Sequence, residues 1–219
     1  MATISQQLTE LVNQKNALAA NLITKGVTAS SSETLNTLVP KVLEIQGAGG
    51  GDNKFTQLVD RSIATITAED LGDITSIGDN AFNSCINLQS VDFGTNSSLQ
   101  TIGEYAFNRC TSLTTITIPN SVTNIGYSAF SNCSSLESVI YEGQVPNIQS
   151  YCFYNCRSII KYDFRNCTTV PTLAIVNALG HATGCQIIIP DALYDDWTTA
   201  TNWVSLTDVT FVKASEYTE

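Results

Sequence analysis

Between residues 101 and 122 the chain reads TIGEYAFNRCTSLTTITIPNSV, and its apolar positions fit neither one helix nor one strand. Ile102, Ala106, Phe107, Leu113, Ile116 and Ile118 are too irregular for a single period. Moved 23 residues forward, the same spacing meets NIGYSAFSNCSSLESVIYEGQV; moved 25 back, it meets SIGDNAFNSCINLQSVDFGTNSSL. A looser copy, NIQSYCFYNCRSIIKYDFRN, follows at 147–166. The common unit is I-G-x-x-A-F-x-x-C-x-x-L-x-x-V-x-F, with Ile or Tyr also allowed at the last place. Self-similarity at this period predicts a solenoid of stacked coils, each stable only against its neighbours.

Within the unit, L-x-x-V-x-F alternates as a strand does. Leu88, Val91 and Phe93 are expected to point inward, followed one coil at a time by Leu113, Ile116 and Ile118, then Leu136, Val139 and Tyr141, then Ile159, Tyr162 and Phe164. The strands should stack in parallel. The residues between these, Ser90, Asp92, Thr115, Thr117, Ser138, Ile140, Lys161 and Asp163, then face solvent as one surface, and they are the candidate binding residues. The I-G-x-x-A-F half returns on the other side of the core, its Gly allowing a tight bend. Pro119 and Pro171 are expected just past strands.

Stacks need lids. Residues 52–73 are expected to form an N-terminal cap, with Ile63 and Ile66 in a starter strand; 74–172 carry the repeats. Residues 173–219 are expected to form a C-terminal cap in which CQIIIPDALYDDWTTATNW gives a buried strand, a Pro stop and a short helix. Asp191 is placed to cap that helix, and Leu193, Trp197 and Trp203 to seal the last coil.

The front of the chain follows another rhythm. Ile4, Leu8, Leu11, Lys15, Leu18 and Leu22 are spaced as a heptad seam, broken once by Lys15. Such a short helix is marginal alone, so self-association through residues 1–46 is expected, with packing on its own solenoid as the alternative. A second helix should end or kink at Pro40, and GAGGG, 47–51, is a hinge.

Charge narrows the partners. A net charge of −10 and the lack of a basic patch argue against nucleic acid. No apolar run approaches a membrane span. The N-terminus lacks the basic start and apolar core of a secretory signal, so synthesis in the cytosol without a signal peptide is expected. Seven cysteines in such a chain should be thiols, and Cys85, Cys110, Cys133 and Cys156 share one repeat position as a buried ladder. A metal site at Cys152, Cys156 and Cys167 would need ligands converging on one point, so no metal and no cofactor are expected. One histidine, His181, near Cys185 lacks an orienting partner, and no phosphate-binding glycine motif occurs; catalysis is not expected.

The unit I-G-x-x-A-F-x-x-C-x-x-L-x-x-V-x-F resembles the BspA-type leucine-rich repeat family over roughly residues 60–190, the fourth copy departing at Gln149, Cys152 and Ile159. That resemblance implies a leucine-rich-repeat solenoid that recognises partners by contact, often as a bacterial surface adhesin. ELVNQKNALAANLITKGVTASSSETLNTLVPKVLEI resembles the short helical module of tailed-phage fibre and tail structural proteins. Together the two imply a non-enzymatic, homotrimeric virion protein on the tail or capsid surface. Its N-terminus would dock on another virion protein, and its head would bind a host-surface glycan or protein. A capsid head fibre or decoration protein and a bacterial surface adhesin are the alternatives.

Overall fold

The computed structural model describes residues 61–95, 97–144 and 147–218. The heptad positions Ile4, Leu8, Leu11, Lys15, Leu18 and Leu22, the helix at Pro40 and the GAGGG hinge lie outside the described residues. Asp60–Glu219 forms a compact unit of its own.

The repeats form the expected coils. On one side, β3 (Ser90–Val91), β5 (Thr115–Ile118), β7 (Ser138–Tyr141) and β9 (Lys161–Asp163) are the L-x-x-V-x-F strands, and β11 (Cys185–Ile189) and β12 (Val209–Lys213) extend them. A five-stranded parallel sheet runs β12-β11-β9-β7-β5. β3 pairs instead with the starter strand β1 (Thr65–Ile66) in a two-stranded sheet. On the other side, β2 (Ser76–Ile77), β4 (Thr101–Ile102) and β6 (Asn124–Ile125) make a second parallel sheet; β8 (Asn147–Ile148) and β10 (Thr172–Leu173) pair separately. All twelve predicted inward residues are buried.

A third row of bonds joins the coils at the turn. Phe107 N–H donates to Ala129 O at 2.7 Å and Phe130 N–H to Cys152 O at 2.9 Å, one coil onward each time. Phe82, Phe107, Phe130 and Phe153 stack face to face at 5.1, 5.2 and 5.3 Å. At the rim, amides bond along the stack: Asn108 Nδ2 donates to Asn83 Oδ1, Asn132 Nδ2 to Asn108 Oδ1, and Asn155 Nδ2 to Asn132 Oδ1, at 3.2, 3.1 and 2.9 Å. These turns use the left-handed region at matching places in each coil, as at Arg109 (φ 61°) and Asn132 (φ 63°).

The repeat glycines serve a purpose other than bending. Gly78, Gly103 and Gly126 are absent from the positive-φ residues. A β carbon at Gly126 would lie 2.6 Å from Glu104 N, and one at Gly103 would lie 2.7 Å from Asp79 N. Each glycine lets its coil approach the backbone of the one before. At Gly78 a β carbon would meet nothing within 4 Å among the described residues. Gln149 stands at the next glycine position, and there the β2-β4-β6 ladder stops.

Both ends are capped. At the N-terminal end Ile63 and Ile66 are buried, and α1 (Ala68–Leu71) begins with a capping box between Thr67 and Asp70. At the C-terminal end a 3-10 turn (Asp191–Leu193) leads into α2 (Tyr194–Thr199). Trp197 and Trp203 are buried against Phe164 at 5.3 and 5.5 Å, while Leu193 is half-buried. Trp203 Nε1 donates to Pro171 O at 2.8 Å.

Two expectations change here, and a further strand follows the C-terminal helix. Asp191 does not cap the helix; its carboxylate accepts from Ser215 N at 3.0 Å and from Ser215 Oγ, tying down the chain after β12. Pro171 precedes β10 rather than following a strand. The last strand is β12, whose half-buried Val209, Phe211 and Lys213 give a weaker alternation than the repeats do.

Candidate functional site

The parallel register fixes the outer face of the large sheet. Thr115 pairs with Ser138 and Ser138 with Lys161; Thr117 pairs with Ile140 and Ile140 with Asp163. Lys161 and Asp163 are in turn opposite Gln186 and Ile188 of β11. Thr115 is exposed, whereas Thr117, Ser138, Ile140 and Lys161 are half-buried. Ser90 and Asp92 are exposed on and just after β3, outside the continuous ladder. An open hollow of ≈ 230 Å³ joins Asp92 to Thr117, with Thr95 and Glu142 also on its wall. Asp92 Oδ1 there accepts from Gly94 N at 2.8 Å, closing its own turn.

The far end of this surface is covered. Asp163 is 5% exposed rather than solvent-facing. Arg165 Nη2 and Nε reach its Oδ2 at 2.6 and 2.9 Å, and Nε also reaches Oδ1 at 2.9 Å, a bidentate pair with little affinity left for a ligand. The Tyr217 ring lies 5.3 Å from Arg165 Cζ and 5.8 Å from Lys161 Nζ. Since β12 is the edge strand and Tyr217 reaches β9, the C-terminal residues cross the outer face of β11. Ile188, outward in register, is accordingly 0% exposed. The open part of the candidate surface is thus Thr115, Thr117 and Ile140, flanked by Ser90 and Asp92, while the Ser138 hydroxyl between them is buried without a hydrogen-bond partner among the described residues.

The cysteine positions are structural. All seven cysteines are buried and free. Cys110, Cys133 and Cys156 each donate their Sγ–H to the carbonyl of a repeat phenylalanine in the coil before, at 3.2, 3.2 and 3.0 Å. Burial pushes the Cys110 and Cys185 thiols up to about 12 and holds Cys133 and Cys152 well above the usual thiol range, so the thiolate form needed for attack or metal ligation is disfavoured. Among the described residues no three His, Cys, Asp or Glu converge as a metal would require. His181 Nδ1 lies 3.1 Å from Ala182 O, and Cys185 Sγ points to Gln186 O at 3.8 Å. Among the described residues no helix is long and apolar enough to cross a membrane.

A second surface was not foreseen. Tyr105, Tyr127, Tyr151 and Tyr154 form an edge-to-face row at 5.5, 5.6 and 5.3 Å, with Tyr127 and Tyr154 38% and 47% exposed. Beside it lies an open hollow of ≈ 380 Å³ on the outer side of β4 and β6.

With coil, ladder and phenylalanine stack in place, comparison with known proteins is decisive for the repeats. Residues 51–179 match the BspA type leucine rich repeat region, in six copies. The chain belongs to that family. No curated protein matches it. Among solved structures, it is similar to a leucine-rich repeat protein from Bacteroides ovatus ATCC 8483 (22% identity, 62% of this chain and 45% of that one, TM-score 0.38). It is also similar to a leucine rich cell surface protein from Faecalibacterium prausnitzii A2-165 (19%, 71% and 62%, 0.38) and to the T. pallidum leucine rich repeat protein (16%, 61% and 75%, 0.32). This BspA-type chain spans less than two thirds of the length of the first two.

Proposed function

We propose that this BspA-type chain is a non-enzymatic recognition protein of the surface-adhesin kind, binding a host-surface protein or glycan through the open outer face of its large sheet. The observation that carries this reading is the strict parallel register of Thr115–Ser138 and Thr117–Ile140. It holds small polar groups and one apolar side chain on a rigid platform beside the Asp92–Glu142 hollow. Interfaces of this kind work by positioned contact, and several heads displayed together would add avidity. Family membership supports the reading, since proteins of this family are typically binding proteins. The test is adhesion of the purified chain to host cells: Ile140→Asp with Thr117→Lys should abolish binding while the melting temperature holds. Unchanged binding would refute the face.

A second reading rests on the likeness of residues 10–45 to phage fibre and tail modules. In it the chain is a virion protein of the tail or capsid, trimeric through the Ile4–Leu22 seam and docked on another virion protein. Immunogold labelling with antibody to residues 52–219 separates the two: gold on cells alone favours the adhesin, gold on tail tips or capsids the virion protein. Light scattering of a Leu11→Asp, Leu18→Asp variant tests the seam. A single-chain mass both before and after substitution would refute self-association.

A further inference from the structure

The second hollow brings carboxylate, amide, hydroxyl and aromatic residues to one place. Gly103 and Gly126 line it as bare backbone, and a β carbon at either would collide with the coil before. Thr101 and Asn124, the outward residues of β4 and β6, line it in register. Gln149, standing where the template has glycine, lines it with an amide, and Asp79 and Glu104 supply carboxylates. Tyr127 lines the hollow and links it to the tyrosine row.

Most of these polar groups have no intramolecular task. The side chains of Thr101, Asn124 and Gln149 make no hydrogen bond among the described residues, and Asp79 uses only Oδ1, accepting from Glu104 N at 2.8 Å. Half-exposed tyrosine rings beside unengaged amide, hydroxyl and carboxylate groups match one ligand chemistry closely. A pyranose offers an apolar C–H face to an aromatic ring and a rim of hydroxyls that both donate and accept. Two carboxylates at the hollow and a net charge of −10 disfavour sulfated, sialylated or uronic acid chains. A basic peptide is less well matched, because three of the groups are neutral and one carboxylate oxygen is already bonded.

We infer that the Tyr105–Tyr154 row and the Thr101–Asn124–Gln149 ledge form a binding site for a neutral glycan. The site shares no residue with the large-sheet face, so either reading can fail while the other stands.

Affinity electrophoresis of the full chain through gels containing α-mannan, laminarin or galactan tests it, with heparin and polylysine as charged controls. At least one neutral polysaccharide should retard the chain. Tyr127→Ala with Tyr154→Ala, and Gln149→Ala separately, should weaken that retardation at least tenfold. Val204→Ser, at an exposed residue outside both surfaces, should leave it within about twofold, all at an unchanged melting temperature. Gln149→Ala removes only an amide, so it keeps the test valid if the double tyrosine variant unfolds. The proposal is overturned if none of the three polysaccharides retards the chain. It is also overturned if only heparin or polylysine does so, or if the tyrosine and Gln149 variants migrate as the parent does.

Discussion

Cys133 Sγ donates a hydrogen bond to Phe107 O across 3.2 Å and 26 residues of sequence. The same carbonyl also accepts from Cys110 N, 3.2 Å away, so the thiol takes up its second lone pair. The side chain is small enough to leave the Phe107–Phe130 stack at 5.2 Å undisturbed. Replacing Cys133 by Ala removes a weak donor and opens a small void, and should cost about 1–2 kcal/mol in urea unfolding. Replacing it by Leu should cost at least about 1–3 kcal/mol through overpacking. An Ala variant as stable as the parent would show that the ladder bond contributes nothing.

Alkaline stability should follow the same thiols. Cys110 and Cys185 rest near 12 in the fold because burial disfavours the thiolate, against a reference value of 9.0. Below about pH 9 folded and unfolded chains keep these protons alike, and their contribution is constant. Between about 9 and 12 the unfolded chain releases protons that the folded one retains, so stability falls as pH rises, by at most about 1.4 kcal/mol per pH unit for each thiol. The thermal midpoint should be level from pH 7 to 8 and drop above 9, and Cys110→Ala should flatten the drop. Equal slopes in parent and variant would contradict this.

The glycines offer an internal comparison. Gly126→Ala forces a β carbon to within 2.6 Å of Glu104 N and should destabilise by about 1–3 kcal/mol. Gly78→Ala meets nothing within 4 Å among the described residues and should be neutral or slightly stabilising, because alanine restricts the unfolded chain. Two equal effects in differential scanning calorimetry would mean that coil-to-coil approach is not what these glycines serve.

Asp191 and Ser215 hold the C-terminal residues to the cap. The two hydrogen bonds from Ser215 lower the Asp191 carboxyl below its usual range. Its contribution is therefore present above that usual range and lost as pH falls through the folded value. Asp191→Asn should speed hydrogen exchange at Ser215, Glu216 and Tyr217 with little change in melting temperature. In the same variant Ile188 should become accessible at the outer face. Unaltered exchange would assign the tail's position to the Tyr217 ring contacts alone.

What could be read from sequence was what the chain repeats. Leu113, Ile116 and Ile118 meet the same surroundings as Leu136, Val139 and Tyr141, so one pattern seen three times fixes the strand, its inward side and its parallel partner. Features used once had no second copy to confirm them. Asp191 looks locally like a helix cap, and only the return of Ser215 from 24 residues onward shows its role. Asp163 reads as an outward residue by alternation, but Arg165 two residues later folds back over it.

The tyrosine row escaped for a different reason. Tyr105 and Tyr151 come two residues after the repeat Gly or Gln, while Tyr127 comes one residue after, so no column of the template holds them all. Left-handed backbone at Tyr105 (φ 55°), Ser128 (φ 54°) and Tyr151 (φ 59°) brings them together. A weak signal was available: tyrosine one or two residues after the repeat Gly or Gln in three successive units.

The asparagine amides bond along the stack with one polarity, Asn155 to Asn132 to Asn108 to Asn83. Every coil thus offers its successor the acceptor that it requires from its predecessor. In genetic terms such an array can lengthen by unequal crossing-over, because a tandem copy of residues 101–123 would find matching partners above and below. Such a lengthened chain should unfold in one transition, at or above the parent temperature, while the two end caps, each matched to a single neighbour, remain the parts that cannot be duplicated.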